Sequence, residues 1–190
     1  MKRLFDIAVA IVLIPIWIPL LALCALAVAF SMGRPVFFRQ TRIGRGERPF
    51  TILKLRTMRQ GAGSDGERIT RLGAFLRRTS LDELPQFVNI LRGEMSLVGP
   101  RPLLPEYLPL YDARQRRRHE VRPGITGLAQ TSGRNAISWE KRLELDVQYV
   151  EKRSFALDMC ILVRTIAAAI SGRGVSAEGE ATMPPFAGRQ

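Results

Sequence analysis

The longest apolar run of the chain lies close to its N-terminus. No charged residue occurs from Ile7 to Phe30, whereas Lys2 and Arg3 come directly before this stretch. As one helix, a run of about 24 residues would reach roughly 36 Å, enough to cross a hydrocarbon core of about 30 Å. The hydrophobic pattern therefore predicts a membrane-associated segment at the start of the chain.

Three interpretations of this segment are open. A cleaved signal peptide is disfavoured by the length of the run. A simple spanning helix would put positive charge on both sides of the membrane, although such charge prefers the cytoplasmic side. A re-entrant hairpin would break at Pro15 or Pro19, because each proline lacks an N–H and disturbs the preceding turn. The residues alone leave the spanning helix and the hairpin open.

The rest of the chain alternates short extended segments with helices, which predicts an α+β, mainly helical fold. Its predicted organisation is a membrane segment at 1–32, a domain at 33–170 with membrane-proximal helices, and a tail at 171–190. The predicted elements, in chain order, are extended segments at 34–40 and 50–58, a flexible loop at 60–66, a helix ending near Arg78, a helix after Ser80, a basic helix at 113–120, a turn at Pro123-Gly124, a helix capped by Ser138 and an apolar helix at 155–170.

The segment after Ser80 has a helix-start signature. Ser80 and Glu83 fit a capping box, in which Ser80 would be the N-cap residue. The apolar positions that follow have helical spacing and end near Arg92-Gly93. Pro85 is late for a first-turn proline, so the helix could instead begin at Leu84 or Pro85.

The net positive charge of the chain indicates that this membrane-associated protein has an anionic partner. The chain has 29 Lys and Arg against 17 Asp and Glu, a net charge of +12, while 46% of its residues are apolar. That apolar content excludes a disordered basic tail, and arginine binds phosphate through a planar fork. Two cysteines and one histidine disfavour a disulfide framework, a structural zinc site and a histidine-based triad. The histidine, His119, follows three arginines and is predicted to be a solvated surface residue.

Asp82 and Glu83 are the residues most suited to chemistry. Acids in a first helical turn commonly serve only to complement the helix dipole. Here, however, Arg77 lies just upstream and Arg101 sits between Pro100 and Pro102 in a restricted loop. Such basic groups could hold a phosphate where an adjacent carboxylate attacks it.

Several motifs, in order along the chain, resemble the bacterial sugar transferases, and more narrowly the small monotopic phosphoglycosyl transferases. They cover nearly the whole chain, and Leu55 stands where that family has Phe. The motifs are Lys-Leu-Arg-Thr-Met at 54–58, Ser-Leu-Asp-Glu-Leu-Pro-Gln at 80–86, Met-Ser-Leu-Val-Gly-Pro-Arg-Pro at 95–102, Arg-Pro-Gly-Ile-Thr-Gly at 122–127, Gly-Arg-Asn-Ala-Ile-Ser-Trp at 133–139 and Ala-Thr-Met-Pro at 181–184.

The resemblance implies a reaction and a set of site residues. Asp82 would be the nucleophile on a UDP-sugar, and polyprenyl (undecaprenyl) phosphate would accept the phosphosugar, which begins glycoconjugate biosynthesis. Mg²⁺ would be the cofactor with Asp82 as a ligand, and Glu83 would be a general base or a partner at the metal site. Implied substrate-binding residues are Arg77, Arg101, Pro100, Pro102, Lys54, Arg56 and Arg134.

The resemblance also implies that 1–32 form a re-entrant hairpin in inner-membrane lipid, and that 33–170 form a cytoplasmic catalytic domain, so that the enzyme lies on the cytoplasmic face of the bacterial inner membrane. One departure is Ile18 before Pro19, where family members often have Ser. The small members point to an N-acetylated UDP-sugar, and the oligomeric state is open. The alternative is a non-enzymatic, membrane-anchored adaptor that uses its basic face on anionic lipid or nucleic acid; nucleic acid is not expected as a partner of the enzyme.

Overall fold

The N-terminal segment forms two helices with an interruption between them. A computed structural model of the chain describes residues 1–133, 137–171, 186 and 188. Helix α1 spans Lys2–Val12 and helix α2 spans Ile14–Met32. A break is present at Leu13, in the turn before Pro15, whereas Pro19 does not interrupt the second helix. Pro15 occupies the first turn of α2, where its missing N–H costs no hydrogen bond, and Pro19 is accommodated within α2.

A tryptophan side chain supplies a hydrogen bond beside this break. The Trp17 indole N–H donates to the carbonyl of Ala10 over 3.0 Å, in buried surroundings. The same indole stacks on Phe87, with ring centroids 5.4 Å apart. The interruption is thus held against the rest of the molecule, without the serine hydroxyl that the family often places before its proline.

Helix α2 is long and apolar enough to cross a membrane, with a mean hydropathy of 2.2. Cys24 and Val28 are buried against Leu55 and Leu76. Five other large apolar side chains of α2 are exposed: Ile16, Ile18, Leu23, Leu26 and Phe30.

A β-hairpin follows α2. Strand β1, Phe37–Ile43, pairs antiparallel with β2, Pro49–Leu55, and the register sets Phe38 opposite Lys54. Both predicted extended segments are therefore confirmed, with boundaries shifted by a few residues. Because partners in an antiparallel pair share a face, this register fixes the side of the hairpin from which Lys54 projects.

Helices α3, Asp65–Arg68, and α4, Arg71–Thr79, come next. The predicted capping box at Ser80 is wrong: Ser80 ends α4 in the left-handed conformation, with φ of 59°, and its side chain caps nothing. A 3-10 turn at Leu81–Glu83 leads to helix α5, Gln86–Arg92, which begins one residue after Pro85, close to the alternative start. The Glu83 carboxylate is drawn away from a capping role by basic partners described below.

Two short strands, β3 at Ser96–Val98 and β4 at Gly124–Thr126, form a parallel pair. The connection contains helix α6, Ala113–Arg116, flanked by 3-10 segments at Pro105–Leu110 and Arg117–Glu120. The predicted turn at Pro123-Gly124 is thus the start of a strand. A side chain on Gly124 would overlap the backbone of Gly99, so the two strands approach closely only because both residues are glycine.

Three helices complete the described chain: α7 at Leu128–Thr131, α8 at Trp139–Lys152 and α9 at Phe155–Ser171. Ser138 caps α8 as predicted, by accepting a hydrogen bond from the Lys141 N–H. The main core joins α1, α5, β3, α8 and α9, and its buried members include Ala10, Ile90, Met95, Val98, Tyr149 and Ile161. Helix α9 buries Ile161 but leaves Phe155, Val163 and Ile166 exposed.

The prediction that His119 is a solvated surface residue is wrong, and part of the predicted tail packs against the protein. His119 is buried, with 5% of its surface exposed, and contacts the carbonyl of Gly44. Of the predicted tail, Phe186 is also buried and packs among Tyr107, Tyr111 and Trp139. The Ala-Thr-Met-Pro motif at 181–184 lies outside the described residues.

Candidate active site

The Asp82–Glu83 pair lies in the 3-10 turn between α4 and α5, next to the end of β2. Lys54 of β2 approaches both acids: its Nζ is 2.6 Å from Glu83 Oε1 and 4.0 Å from Asp82 Oδ2. The side chains of all three are largely buried, with 18%, 12% and 10% of Lys54, Glu83 and Asp82 exposed. One lysine thus serves two adjacent carboxylates in a poorly hydrated setting.

Arg101 reaches the same pair from the loop that follows β3. Its Nη2 donates to Glu83 Oε1 over 2.9 Å, and 38% of its side chain is open to solvent. Glu83 therefore receives two cations on one oxygen atom, from opposite parts of the sequence. The exposed part of Arg101 is available to a ligand phosphate.

Arg77 borders the pair from α4. Its Nε donates to the hydroxyl of Thr57 over 2.9 Å, and its positive charge acts on Asp82. Gly73 makes this position possible, because any side chain there would overlap the Thr57 carbonyl and push α4 off the end of β2. Lys54, Arg77 and Arg101, predicted separately, therefore converge on one pair of acids.

The surroundings of the two acids shift their pKa values in opposite directions. Burial and the neighbouring negative charge of Glu83 raise the pKa of Asp82 to about 6, although Lys54, Arg101 and Arg77 counteract them. For Glu83, burial also favours the protonated form, but Arg101 and Lys54 outweigh it and lower the pKa to about 2. Near neutral pH both groups are mainly ionised, and Asp82 is the more basic of the two.

The other predicted site residues have different positions. The Arg56 guanidinium donates to the carbonyls of Met32 and Gly33, so it holds the end of α2 and is not drawn to the acids. Pro100 and Pro102 are buried, and their carbonyls accept hydrogen bonds from the Gly124 N–H and from Arg42. They shape the loop that carries Arg101. Arg134 lies outside the described residues.

Two arginines that the sequence did not single out also stand near Arg101. Burial, followed by the charge of Arg101, lowers the pKa of Arg42 to about 10, and the same two causes lower that of Arg142 to about 10. The alternation of β1 could have revealed Arg42, because Arg42 shares a strand face with Phe38 and hence with Lys54. The site region thus contains more positive than negative charge.

The donor set is compatible with Mg²⁺ shared with a substrate. Among the described residues, no group of three or more His, Cys, Asp and Glu side chains could hold a metal ion alone. Mg²⁺, however, is commonly bound through one or two carboxylates plus substrate phosphates and water. The Asp82 carboxylate fits this role, because its closest described cation, Lys54, is 4.0 Å away.

Chemically, the arrangement suits attack on a phosphorus atom that carries negative charge. A buried, ionisable carboxylate lies among cations that can offset the charge of an incoming diphosphate. Oxygen ligands for a divalent cation are present, whereas the described residues offer no histidine or cysteine at the site. The site therefore defines a candidate phosphoryl-group transferase.

Comparison with known proteins agrees with this class. Residues 1–172 match the family model described as bacterial sugar transferase. The chain is 47% identical over 194 residues to the uncharacterized sugar transferase EpsL of Bacillus subtilis, covering 99% of this chain and 96% of the relative. It is 42% identical to the UDP-glucose:undecaprenyl-phosphate glucose-1-phosphate transferase of Caulobacter vibrioides, covering 87% of this chain and 68% of the relative. It is 37% identical to an Aeromonas hydrophila relative named UDP-N-acetylgalactosamine-undecaprenyl-phosphate N-acetylgalactosaminephosphotransferase, covering 91% of this chain and 44% of the relative.

The chain therefore belongs to the bacterial sugar transferase family, and it is a phosphoglycosyl transferase by class. Membership in a family of enzymes decides against the non-enzymatic adaptor. The basic residues next to Asp82 and Glu83 accordingly form the candidate active site of this enzyme.

Proposed function

We propose that this enzyme transfers a phosphosugar from a UDP-sugar to undecaprenyl phosphate, through a covalent intermediate on Asp82, and so begins the synthesis of a polysaccharide. The observation that carries the proposal is the buried Asp82 carboxylate, surrounded by Lys54, Arg77 and Arg101. The names of the Caulobacter and Aeromonas relatives support both substrates.

The reaction proceeds in two displacements. An Asp82 carboxylate oxygen attacks the β-phosphorus of the UDP-sugar, the bond from that phosphorus to the bridging oxygen breaks, and UMP leaves with the electron pair. A phosphate oxygen of undecaprenyl phosphate then attacks the same phosphorus and breaks its bond to Asp82. The carboxylate is regenerated and the product is undecaprenyl diphosphate-linked sugar.

The cations of the site make the first displacement possible. A carboxylate and a diphosphate repel each other, so Lys54, Arg77 and Arg101 must offset the charge that builds up on the phosphate oxygens. Mg²⁺, bound by Asp82 and the diphosphate, would supply further charge neutralisation.

Glu83 is poorly suited to act as a general base. A general base works best when its pKa is near the operating pH, whereas the pKa of Glu83 is lowered to about 2. Its carboxylate is already bound by Lys54 and Arg101. We infer that Glu83 holds these two cations in position beside Asp82.

The contacts of the N-terminal helices support a re-entrant hairpin on the cytoplasmic face of the inner membrane. At the start of α1, Lys2 pairs with Asp158 of α9 at 2.6 Å, and Arg3 donates to the Ile90 carbonyl at 2.6 Å. At the end of α2, the Gly33 carbonyl accepts from Arg56 at 2.7 Å. Both ends of the anchor thus contact one globular body, whereas a spanning helix would separate them by the bilayer.

The decisive experiment measures UMP release by the full chain, solubilised in detergent with Mg²⁺, from a panel of UDP-sugars. The panel covers UDP-glucose, UDP-galactose and their N-acetylated forms, because the relatives are named for both kinds of sugar and the resemblance to the small members implies an N-acetylated one. Without acceptor, the wild-type chain should gain the mass of one phosphosugar.

Asp82→Asn should abolish both UMP release and the mass gain, since the amide is a poor nucleophile. Asp112→Asn is the matched control, because Asp112 is an exposed acid at the N-cap of α6, where asparagine caps equally well. An Asp82→Asn enzyme that released UMP at the wild-type rate would refute the proposed nucleophile.

A further inference from the structure

Arg118 and Asp146 form an ion pair that is enclosed by the protein. Arg118 Nη2 lies 2.7 Å from Asp146 Oδ2, and each side chain is only 1% exposed. Arg118 Nε donates to the same carboxylate oxygen over 3.2 Å, and the Tyr111 ring lies 5.6 Å from the guanidinium carbon. Burying two charges is costly, so an enclosed pair is by itself weak evidence for a contribution to stability.

The pair has a third partner, which is the loop of the active site. The Nη2 that binds Asp146 also donates to the backbone carbonyl of Arg101 over 2.7 Å. The carbonyls on either side are bound too: the Gly124 N–H donates to Pro100 over 3.0 Å and Arg42 donates to Pro102 over 3.4 Å. Three successive carbonyls are thus fixed, on the loop whose central side chain reaches Glu83.

We propose that the Arg118–Asp146 pair positions Arg101 for the diphosphate of the UDP-sugar. The inference rests on the proposed function, in which Arg101 contacts phosphate. Asp146 fixes the plane of the Arg118 guanidinium, and the guanidinium fixes the Arg101 backbone. Neither Arg118 nor Asp146 needs to touch the substrate, so both are positioning residues.

The guanidinium geometry is essential to this role. Arg118 directs two nitrogen atoms at Asp146 and shares one of them with the Arg101 carbonyl. Lysine keeps the charge but presents a single ammonium on a flexible stem, without the planar fork. Arg118→Lys should therefore retain the attraction to Asp146 while loosening the hold on the loop.

The experiment is a double-mutant cycle between positions 118 and 101. UDP is titrated with Mg²⁺ into the detergent-solubilised full chain, as wild type, Arg118→Lys, Arg101→Ala and the double variant. We expect Arg118→Lys to weaken UDP binding about tenfold, the size of one charge-assisted hydrogen bond to phosphate. In the Arg101→Ala background the same change should have no further effect, because the side chain to be positioned is absent. Arg114→Lys is the control, since Arg114 is an exposed arginine that pairs with Glu144, and it should bind UDP like the wild type.

A variant that merely unfolds the enzyme would act in every background. Equal weakening by Arg118→Lys in both backgrounds, or none in either, would overturn the positioning role and leave the proposed reaction intact. Unchanged UDP binding by Arg101→Ala would overturn the inference at its premise, while UMP release continues to test the reaction separately.

A second variant separates burial of charge from positioning. Arg118→Met combined with Asp146→Leu removes both charges, so that no ion is left buried without a partner. We expect this variant to keep the wild-type melting behaviour yet bind UDP as weakly as Arg118→Lys. Wild-type affinity for UDP in this folded variant would refute the proposal.

Discussion

At the scale of single residues, side chains of the same type occupy opposite environments within a few positions of one another. Arg114 and Arg117 form exposed ion pairs with acids of α8 and with Glu120, and such pairs contribute little to stability. Arg118 and His119, directly after them, are buried. The position of a residue along 114–119, and not the net charge of this run, therefore decides whether its side chain is exposed or buried.

These buried residues show where prediction from sequence stops. Asp82, Glu83, Lys54 and Arg101 were predicted because they lie in distinctive motifs, and Arg77 was predicted because it lies just upstream of the acids. Arg118 was missed because it is one of three consecutive arginines, whose common interpretation is a solvated face. One signal was available: Asp146 lies between Leu143 and Val147 on the apolar face of α8, where a carboxylate requires a cation.

His119 leads to a prediction about pH. Burial, followed by the charge of Arg118, lowers its pKa from 6.5 to about 4. The unfolded chain therefore binds more protons than the folded one between these values, and folding stability is lost as pH falls from about 6.5 towards 4. A shift of this size corresponds to about 3 kcal/mol, since one pKa unit equals about 1.4 kcal/mol.

The measurement compares melting temperatures in detergent at pH 7.5 and pH 5 for wild type and His119→Gln. Glutamine stays neutral, so the variant should lose less stability at pH 5 than the wild type does. The comparison with the variant is needed because Asp82, whose pKa is raised, changes stability in the opposite direction over this range. An equal loss in both proteins would contradict the assignment; His119 is the only histidine of the chain.

At the scale of elements, the junction between α4 and α5 determines where the acids point. The capping-box prediction assigned Glu83 to the backbone of its own helix, as local sequence rules favour. In the fold, Ser80 turns left-handed, a 3-10 turn replaces the first helical turn, and Glu83 binds Lys54 and Arg101 instead. Tertiary charge pairing outweighs the local signature. Pro85 indicated the later helix start, but no pattern within 80–86 indicated the partners of Glu83.

Ser80→Gly distinguishes the two interpretations of this junction. Glycine adopts the observed φ of 59° without strain, so the substitution should leave stability unchanged or raise it by about 0.5–1 kcal/mol. If Ser80 were a true N-cap, replacing it with glycine would lower the free energy of unfolding by a few tenths of a kcal/mol. Replacing it with alanine would lower it by about 1 kcal/mol. Denaturant or thermal unfolding in detergent measures the change, with Ser138→Gly, at the N-cap of α8, as the control that should be slightly destabilised.

At the scale of the whole molecule, α1 and α2, which form the proposed membrane anchor, connect the exposed apolar surface to Asp82 and Glu83. Helix α2 ends at the Arg56 contact, and the chain then enters β1 and β2, which carry Lys54 to the acids. The sequence predicted an anchor followed by a basic domain. It did not predict that α1 would be fastened to that domain by its first residues, because Lys2 and Asp158 are 156 positions apart. The same contact keeps the N-terminus beside the globular body, as the proposed hairpin requires.

The hairpin topology predicts that both ends of the anchor are reached from the cytoplasm. Cys24 and Cys160 are first replaced by alanine. One protein then carries a single cysteine inserted next to Met1. A second protein carries a single cysteine at Glu120, an exposed position of the globular body. A membrane-impermeant maleimide should label both cysteines in inside-out vesicles and neither in intact spheroplasts. Labelling of the N-terminal cysteine in spheroplasts, with the Glu120→Cys protein still protected, would mean that the segment spans the bilayer. The contacts of Lys2 and Arg3 would then be impossible in the membrane-bound enzyme, since Asp158 and Ile90 would lie on the other side.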